Sequence, residues 1–245
     1  MSELIIIAHA DLVGDSIAML PAIQELRRRW DGDVYLHMPN RWVRDLIPAS
    51  YGFKDLFALP LGSSKAKVMR SSPWDACDAY IRTLHMTQAH FAIFGLPVPS
   101  EPVRAEIEVD DTAPVFDYVL SPWSRSDIDH NKAWWDDRWA KVVDALDGSI
   151  AVVGGIEDPQ PWLAHYEYGK DLRYVAGLLR NARKAVITID NGMSHLAFHA
   201  GCTKHVLLYP ECLPPWWVGN PKALAGIIRQ PKHLTPEAVL ALVPR

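Results

Sequence analysis

The feature that most constrains this chain is an alternation of short apolar runs, rich in β-branched residues, with stretches of helical period. Leu4 to His9 is such a run. Val13-Gly14-Asp15 then turns the chain, and Ile17, Leu20, Ile23 and Leu26 fall toward one side of a helix. Asp33 to Met38 and Arg41 to Ile47 repeat the strand and the helix, and Leu56 to Leu59 is expected to form a third strand before the polar stretch GSSKAKVMRSS. A nearly uninterrupted helical pattern runs from Trp74 to Phe94 and stops at Gly95 and the cluster Pro97, Pro99, Pro102, which cannot continue a helix.

The segment VRAEIEVDDTAP reads as an extended connector, after which the alternation restarts. Strands are expected at Tyr118 to Ser121, Ile150 to Val153, Ala185 to Ile189 and His205 to Tyr209. Helices are expected over about Trp134 to Leu146, Asp171 to Asn181 and Met193 to Ala200. Repeated β/α units imply parallel sheets covered by helices, an α/β fold. The connector divides it into two domains, residues 1–112 and 113–245, and 245 residues suffice for two cores.

Composition narrows the function. A formal net charge of -4 and a pI near 6.2 argue against a general polyanion binder, which needs clustered Lys and Arg. Between Glu25 and Arg70, however, nine Lys/Arg stand against five Asp/Glu, so part of the first domain could face an anionic partner or acceptor, a solvated mixed surface being the plainer account. Three cysteines, Cys77, Cys202 and Cys212, make an odd set without C-x-x-C, so neither a disulfide framework nor a zinc ribbon is indicated and a reducing cytoplasm fits. The apolar run from Leu4 to Ala8 is too short for a membrane span; no transmembrane segment is expected, and peripheral membrane contact is left open.

In parallel sheets, ligands sit beyond the carboxyl ends of the strands, and the loops there carry the chemistry. In AVITIDNGMSHLAFHAG a strand ends at Asp190, and Asn191-Gly192 leads into a helix with Met193, Ser194 and His195. The unpaired N–H groups and the positive end of such a helix suit a phosphate; a capped helix with a buried histidine accounts for the same residues. In SPWSRSDIDHNKAWW, the hydroxyls of Ser124 and Ser126 with Arg125 and Lys132 suit a diphosphate, and a capped helix start with a solvated lysine is the plainer account. Asp15 stands at the head of the first helix, where a carboxylate serves either as a general base or as a favoured first-turn residue. His195 and His199 have the spacing of a zinc pair but no third ligand nearby, and Trp216 and Trp217 are placed to flank a base or a sugar. No G-x-G-x-x-G, Walker loop or G-x-S-x-G is present.

In this order the segments resemble glycosyltransferase family 9, the bacterial heptosyltransferases. The resemblance rests on Gly14-Asp15-Ser-Ile-Ala-Met-Leu-Pro21-Ala22, on Ser124, Ser126 and Lys132-Ala-Trp134, on VVGGIED, on Asp190-Asn-Gly-Met-Ser-His195-Leu-Ala197, and on the closing LTPEAVLALV. It implies a GT-B architecture, two Rossmann-like domains facing across a cleft, with a final helix at 234–243 returning to the first. It implies an inverting, metal-independent and cofactor-free transfer from a nucleotide-diphosphate sugar, ADP-heptose-like, to a hydroxyl acceptor such as a glycan. Asp15 with Gly14 would serve the acceptor; Ser124, Ser126, Lys132 and the N–H groups of Gly192 and Met193 would hold the leaving diphosphate, with His195 nearby and Asp190 and Asn191 in the same substrate-binding turn; Glu157 or Asp158 would reach the ribose. Asn191 stands where the family carries Thr or Ser, and the first domain lacks one or two β/α units between Leu59 and Trp74. A GT-B-like epimerase or hydrolase and a silent nucleotide-sugar binding module remain alternatives.

Overall fold

A computed structural model describes residues 3–10, 12–59, 66–124, 134, 136–154, 165–211, 213–214, 217, 219–228 and 233–244. The chain forms two compact units, Met1–Glu108 and Val109–Arg245. The connector is pinned on either side of that division. Gln24, buried in the first unit, exchanges two hydrogen bonds with the Glu106 backbone at 2.6 and 3.0 Å, and the Glu108 N–H donates to the Leu46 carbonyl at 2.7 Å. Two residues later, the Asp110 N–H donates to the Arg173 carbonyl of the second unit at 3.0 Å.

The first unit carries a parallel sheet of order β3-β2-β1-β4, with β1 Leu4–Ala8, β2 Val34–His37, β3 Lys54–Asp55 and β4 Lys67–Ser71. Helix α1, Val13–Arg29, connects β1 to β2 and is buried on all sides from Ser16 to Gln24, so it lies inside the unit rather than on its surface. The apolar set Leu4, Ile6, Ile17, Leu20, Ile23 and Leu36 forms the centre of this core. The short α2, Arg41–Arg44, follows β2.

Three expectations for this unit change. Leu56–Ala58 is a 3₁₀ turn rather than a strand, because the Asp55 carboxylate accepts the Phe57 N–H at 3.0 Å and caps it. A fourth strand, β4, lies inside the stretch read as polar; it sits at the sheet edge with Lys67, Val68 and Arg70 exposed, so burial left no apolar signature on it. The single helix expected from Trp74 to Phe94 is two, α3 Pro73–Tyr80 and α4 Met86–Ile93. The break falls where His85 caps α4: its Nδ1 accepts the Thr87 N–H at 3.1 Å while Gln88 Oε1 accepts the His85 N–H at 3.1 Å.

The second unit has a six-stranded parallel sheet of order β10-β9-β8-β5-β6-β7. Its strands are β5 Tyr118–Ser121, β6 Ile150–Gly154, β7 Tyr166–Tyr168, β8 Ala185–Ile189, β9 His205–Pro210 and β10 Leu224–Ile228. The helices are α5 Asp136–Ala145, α6 Leu172–Asn181, α7 Gly192–Ala200 and α8 Pro236–Leu242. Strands β7 and β10, the two edges, were not anticipated from sequence. Taken from β5, the order is that of a Rossmann sheet, and the chain reverses direction between the neighbours β5 and β8.

Trp134 and Trp139 meet edge to face at 5.0 Å in a core with Leu120, Ile187 and Val206. The closing helix α8 packs on α5 and β10 of this unit, with Val239 fully buried, and the Leu234 carbonyl accepts from Trp134 Nε1 at 3.1 Å and Arg138 Nη1 at 2.6 Å. Among the described residues, no helix is long and apolar enough to cross a membrane.

Candidate functional site

In the second unit the loops leaving β5 and β8 diverge at the point where the strand order reverses, so a crevice opens there by topology alone. Asn191 holds that point together. Its Nδ2 donates to Ser121 Oγ at 3.0 Å, to the Ser121 carbonyl at 3.3 Å and to the Trp123 carbonyl at 2.7 Å, all at the end of β5. Its Oδ1 accepts the N–H groups of Met193 (2.9 Å) and Ser194 (3.2 Å), capping α7. A Ser or Thr hydroxyl at this position would cap the helix but lacks the second polar arm, so the departure from the family pattern exchanges a hydroxyl for a clamp between two loops.

The clamp uses one of the groups expected to bind phosphate. The Met193 N–H already donates to Asn191, whereas the Gly192 N–H has no hydrogen-bond partner among the described residues. Ser194 Oγ closes back on the Asn191 carbonyl at 2.7 Å. Asp190 and His195 are both buried, Asp190 with its N–H donating to the Leu208 carbonyl at 2.8 Å. Ser124 is half-buried next to the clamped Trp123, while Ser126, Lys132, Glu157, Asp158 and Trp216 lie outside the described residues. Trp123 itself meets Tyr166 edge to face at 5.6 Å and lies across Gly154 at the end of β6, where an added Cβ would meet its ring at 3.3 Å.

Two further groups build this site and carried no signal in the sequence. Gly219, in the loop after β9, lies so close to the first turn of α7 that a Cβ there would fall 2.6 Å from Ser194 Oγ and 2.7 Å from the His195 nitrogen. Its neighbour Asn220 joins His205 and Thr188 in a buried chain: Asn220 Nδ2 donates to His205 Nδ1 at 3.1 Å, which leaves Nε2–H to donate to Thr188 Oγ1 at 2.8 Å. Burial drives the His205 pKa down to about 3, so the ring is neutral and the loop is tied to β8 by uncharged hydrogen bonds. Trp217 is buried in the same loop, its N–H donating to the Pro214 carbonyl.

In the first unit Asp15 stands in the first turn of α1, half-buried, with Gly14 before it. The α1 N-cap, Leu12, supplies no side-chain cap; Ser16 Oγ ties the loop instead, to the carbonyls of Ala10 (3.2 Å) and Leu12 (2.9 Å). Asp15 thus lies in the first turn, at the positive end of the helix. Across from it, burial first, then the charges of Asp78 and Asp15, push the Cys77 thiol up and keep it protonated. A buried Ser71 Oγ and His90 Nδ1 pair at 2.8 Å stands behind the β1 end, where the Ser71 carbonyl accepts the His9 N–H at 2.9 Å. Among the described residues, no three His, Cys, Asp or Glu side chains gather as metal ligands, His195 and His199 included.

No family model and no curated protein matches the chain. Solved structures do, heptosyltransferases among them. The dodecameric iron-containing heptosyltransferase TibC, in complex with ADP-D-beta-D-heptose, aligns with a TM-score of 0.68 and 18% identity, covering 99% of this chain and 66% of that one. E. coli heptosyltransferase WaaC with ADP aligns at 0.63 and 14% identity, covering 97% and 96%. E. coli ADP-heptose lps heptosyltransferase II aligns at 0.58 and 13% identity, covering 98% and 97%. This chain thus spans just under two thirds of the TibC chain. At these identities the likeness is one of fold: the α/β architecture is that of the GT-B heptosyltransferases, as the motif order implied.

Proposed function

We propose that this chain is an inverting, metal-independent glycosyltransferase that moves a sugar from a nucleoside-diphosphate donor, ADP-heptose-like, to a hydroxyl acceptor. The observation that carries this reading is the Asn191 clamp, which holds the β5 loop against the head of α7 at the reversal of a Rossmann sheet. That point presents the Gly192 N–H and a helix dipole to an anion. The fold likeness to chains described with ADP or ADP-heptose supports it.

In this mechanism the Asp15 carboxylate takes the proton of the acceptor hydroxyl as its oxygen attacks the anomeric carbon. The bond from that carbon to the diphosphate oxygen breaks on the opposite face, and the electron pair leaves with the nucleoside diphosphate. The Gly192 N–H, the α7 dipole, Ser124, Ser126 and Lys132 stabilise the departing charge. Asp190 and His195 support the phosphate-binding turn, and Glu157 or Asp158 takes the ribose. The test is a thermal-shift screen of ADP-, UDP-, GDP- and CMP-sugars with and without EDTA, followed by Asp15→Asn. One nucleotide family should stabilise the protein regardless of EDTA, and Asp15→Asn should lower transfer by about 10²- to 10⁴-fold while donor affinity is kept. Free sugar released at an undiminished rate without acceptor would point to a hydrolase, and donor binding without any turnover to a silent binding module.

A further inference from the structure

The chain passes from β9 to β10 by a crossover, residues 211–223, in which no helix occurs among the described residues. Parallel strands are usually joined through a helix, whose own hydrogen bonds fix its shape; a crossover without one has to be positioned by its side chains. Here it leaves β9 by a turn, the Leu213 N–H donating to the Pro210 carbonyl at 3.1 Å, and buries Trp217. Gly219 then passes the first turn of α7 with no room for a methyl group between them: a Cβ would fall 2.6 Å from Ser194 Oγ and 2.7 Å from the His195 nitrogen. Two of the three nearest atoms are helix backbone, so a shift of either segment is felt by the other.

Asn220, the next residue, fixes the crossover at this height. Its Oδ1 accepts the Lys222 N–H at 3.0 Å and its carbonyl the Ala223 N–H at 3.1 Å, which leaves Nδ2 to donate to His205 Nδ1 at 3.1 Å; His205 Nε2 donates in turn to Thr188 Oγ1 at 2.8 Å. Asn220, His205 and Thr188 are 4%, 2% and 0% exposed, so both links of this relay are made away from water. A satisfied buried network imposes one arrangement, where apolar packing alone tolerates sliding. Thr188 lies on β8 two residues before Asp190 and three before Asn191. The relay thereby closes a circuit: β8 leads into Asn191 and the head of α7, Gly219 lies against that head, and Asn220 returns through His205 to β8. Asn191 clamps the turn to the end of β5, and this circuit ties it to the opposite half of the sheet.

We infer that the crossover is a strap that sets the position of the phosphate turn, with Thr188, His205, Asn220 and Gly219 as positioning residues for the donor diphosphate. This deepens the transferase reading and rests on it. The experiment measures binding of ADP and of inorganic pyrophosphate by calorimetry, and amide hydrogen exchange of the ligand-free protein, on the full chain and its variants. His205→Leu, similar in volume but without either bond, should weaken ADP binding roughly three- to thirtyfold and speed exchange in the first turn of α7 ahead of α6. Thr188→Val cuts the relay at its far end and should act in the same direction by less, so the inference stays testable if His205→Leu does not fold. His205→Gln, whose neutral amide accepts from Asn220 and donates to Thr188, should restore both readouts. Under a merely structural role ADP affinity would follow global stability, and Thr235→Ala, which uncaps α8, would lower it as much as Thr188→Val does. That result, exchange at the α7 head unchanged in both relay variants, or ADP affinity unchanged where exchange has risen would each overturn the strap alone. Wild type that binds neither ADP nor pyrophosphate would overturn the transferase reading, and with it the strap's part in donor binding.

Discussion

The two sheets present their carboxyl ends in opposite styles. In the second unit the loops are tied to one another by polar groups: Asn191 to Ser121 and Trp123, Asn220 to His205 and Thr188, Gly219 against Ser194. In the first unit the loops are tied to their own strands and helices, as Ser16 is to Ala10 and Leu12, and the side chains they turn outward are apolar. A site for a charged diphosphate needs donors held in place before the ligand arrives, because reorganising them would offset the binding energy.

Acid offers the strongest way to test this asymmetry. His205 is neutral in the fold with a pKa of about 3, while in the unfolded chain it titrates near its ordinary 6.5. Between those values the unfolded state takes up a proton that the native state refuses, so stability is complete above about 6.5 and falls as pH drops toward 3, by roughly 1 kcal/mol per pH unit. Pulsed hydrogen exchange across this window should show the second unit losing protection before the first. If both lose it together, in wild type and in His205→Gln alike, the buried histidine is not what sets the acid limit.

Asn191→Ala should come next, with a loss of about 2 to 3 kcal/mol, because it strands the Met193 and Ser194 donors and the Ser121 and Trp123 acceptors at once. Asn191→Ser restores the cap but not the clamp, and chemical denaturation should place it between the two. Equal stability of all three proteins would remove the clamp from the account of the site. Gly219→Ala forces a methyl group against backbone and should cost about 1 to 3 kcal/mol or displace the loop, read as weaker nucleotide stabilisation in a thermal shift. The smallest effect belongs away from both rims: Thr235→Ala, which removes the α8 cap on the Ala238 N–H, should cost about 1 kcal/mol and leave ligand binding alone.

Legibility in the sequence followed burial. Strands flanked on both sides are continuous apolar runs, so β5 and β8 are located at both of their ends and β1, β2, β6 and β9 to within a residue or so. The edge strands β4 (KVMRS) and β7 (YEY) lack that run and give no strand signal; β10 (LAGII) is apolar but carries Gly226 at its centre, which weakens a strand reading. The helix at Trp74 to Phe94 misled because its apolar pattern persists through the turn, while the break is made by one side chain capping a backbone. Asp190, Asn191 and Gly192 stood out because an apolar strand meeting Asn-Gly and a helix is a local pattern.

What the sequence by itself determined, then, is whatever local periodicity and turn chemistry encode: two runs of β/α units, their central strands, the connector, and the loops where ligands should be sought. Only the tertiary structure decided the rest. That Asn191 reaches across to Ser121 and Trp123, and that Gly219 must lack a side chain because Ser194 lies against it, depend on neighbours distant in the chain. Strand order and packing bring those neighbours together, and no window of sequence contains both partners of such a contact.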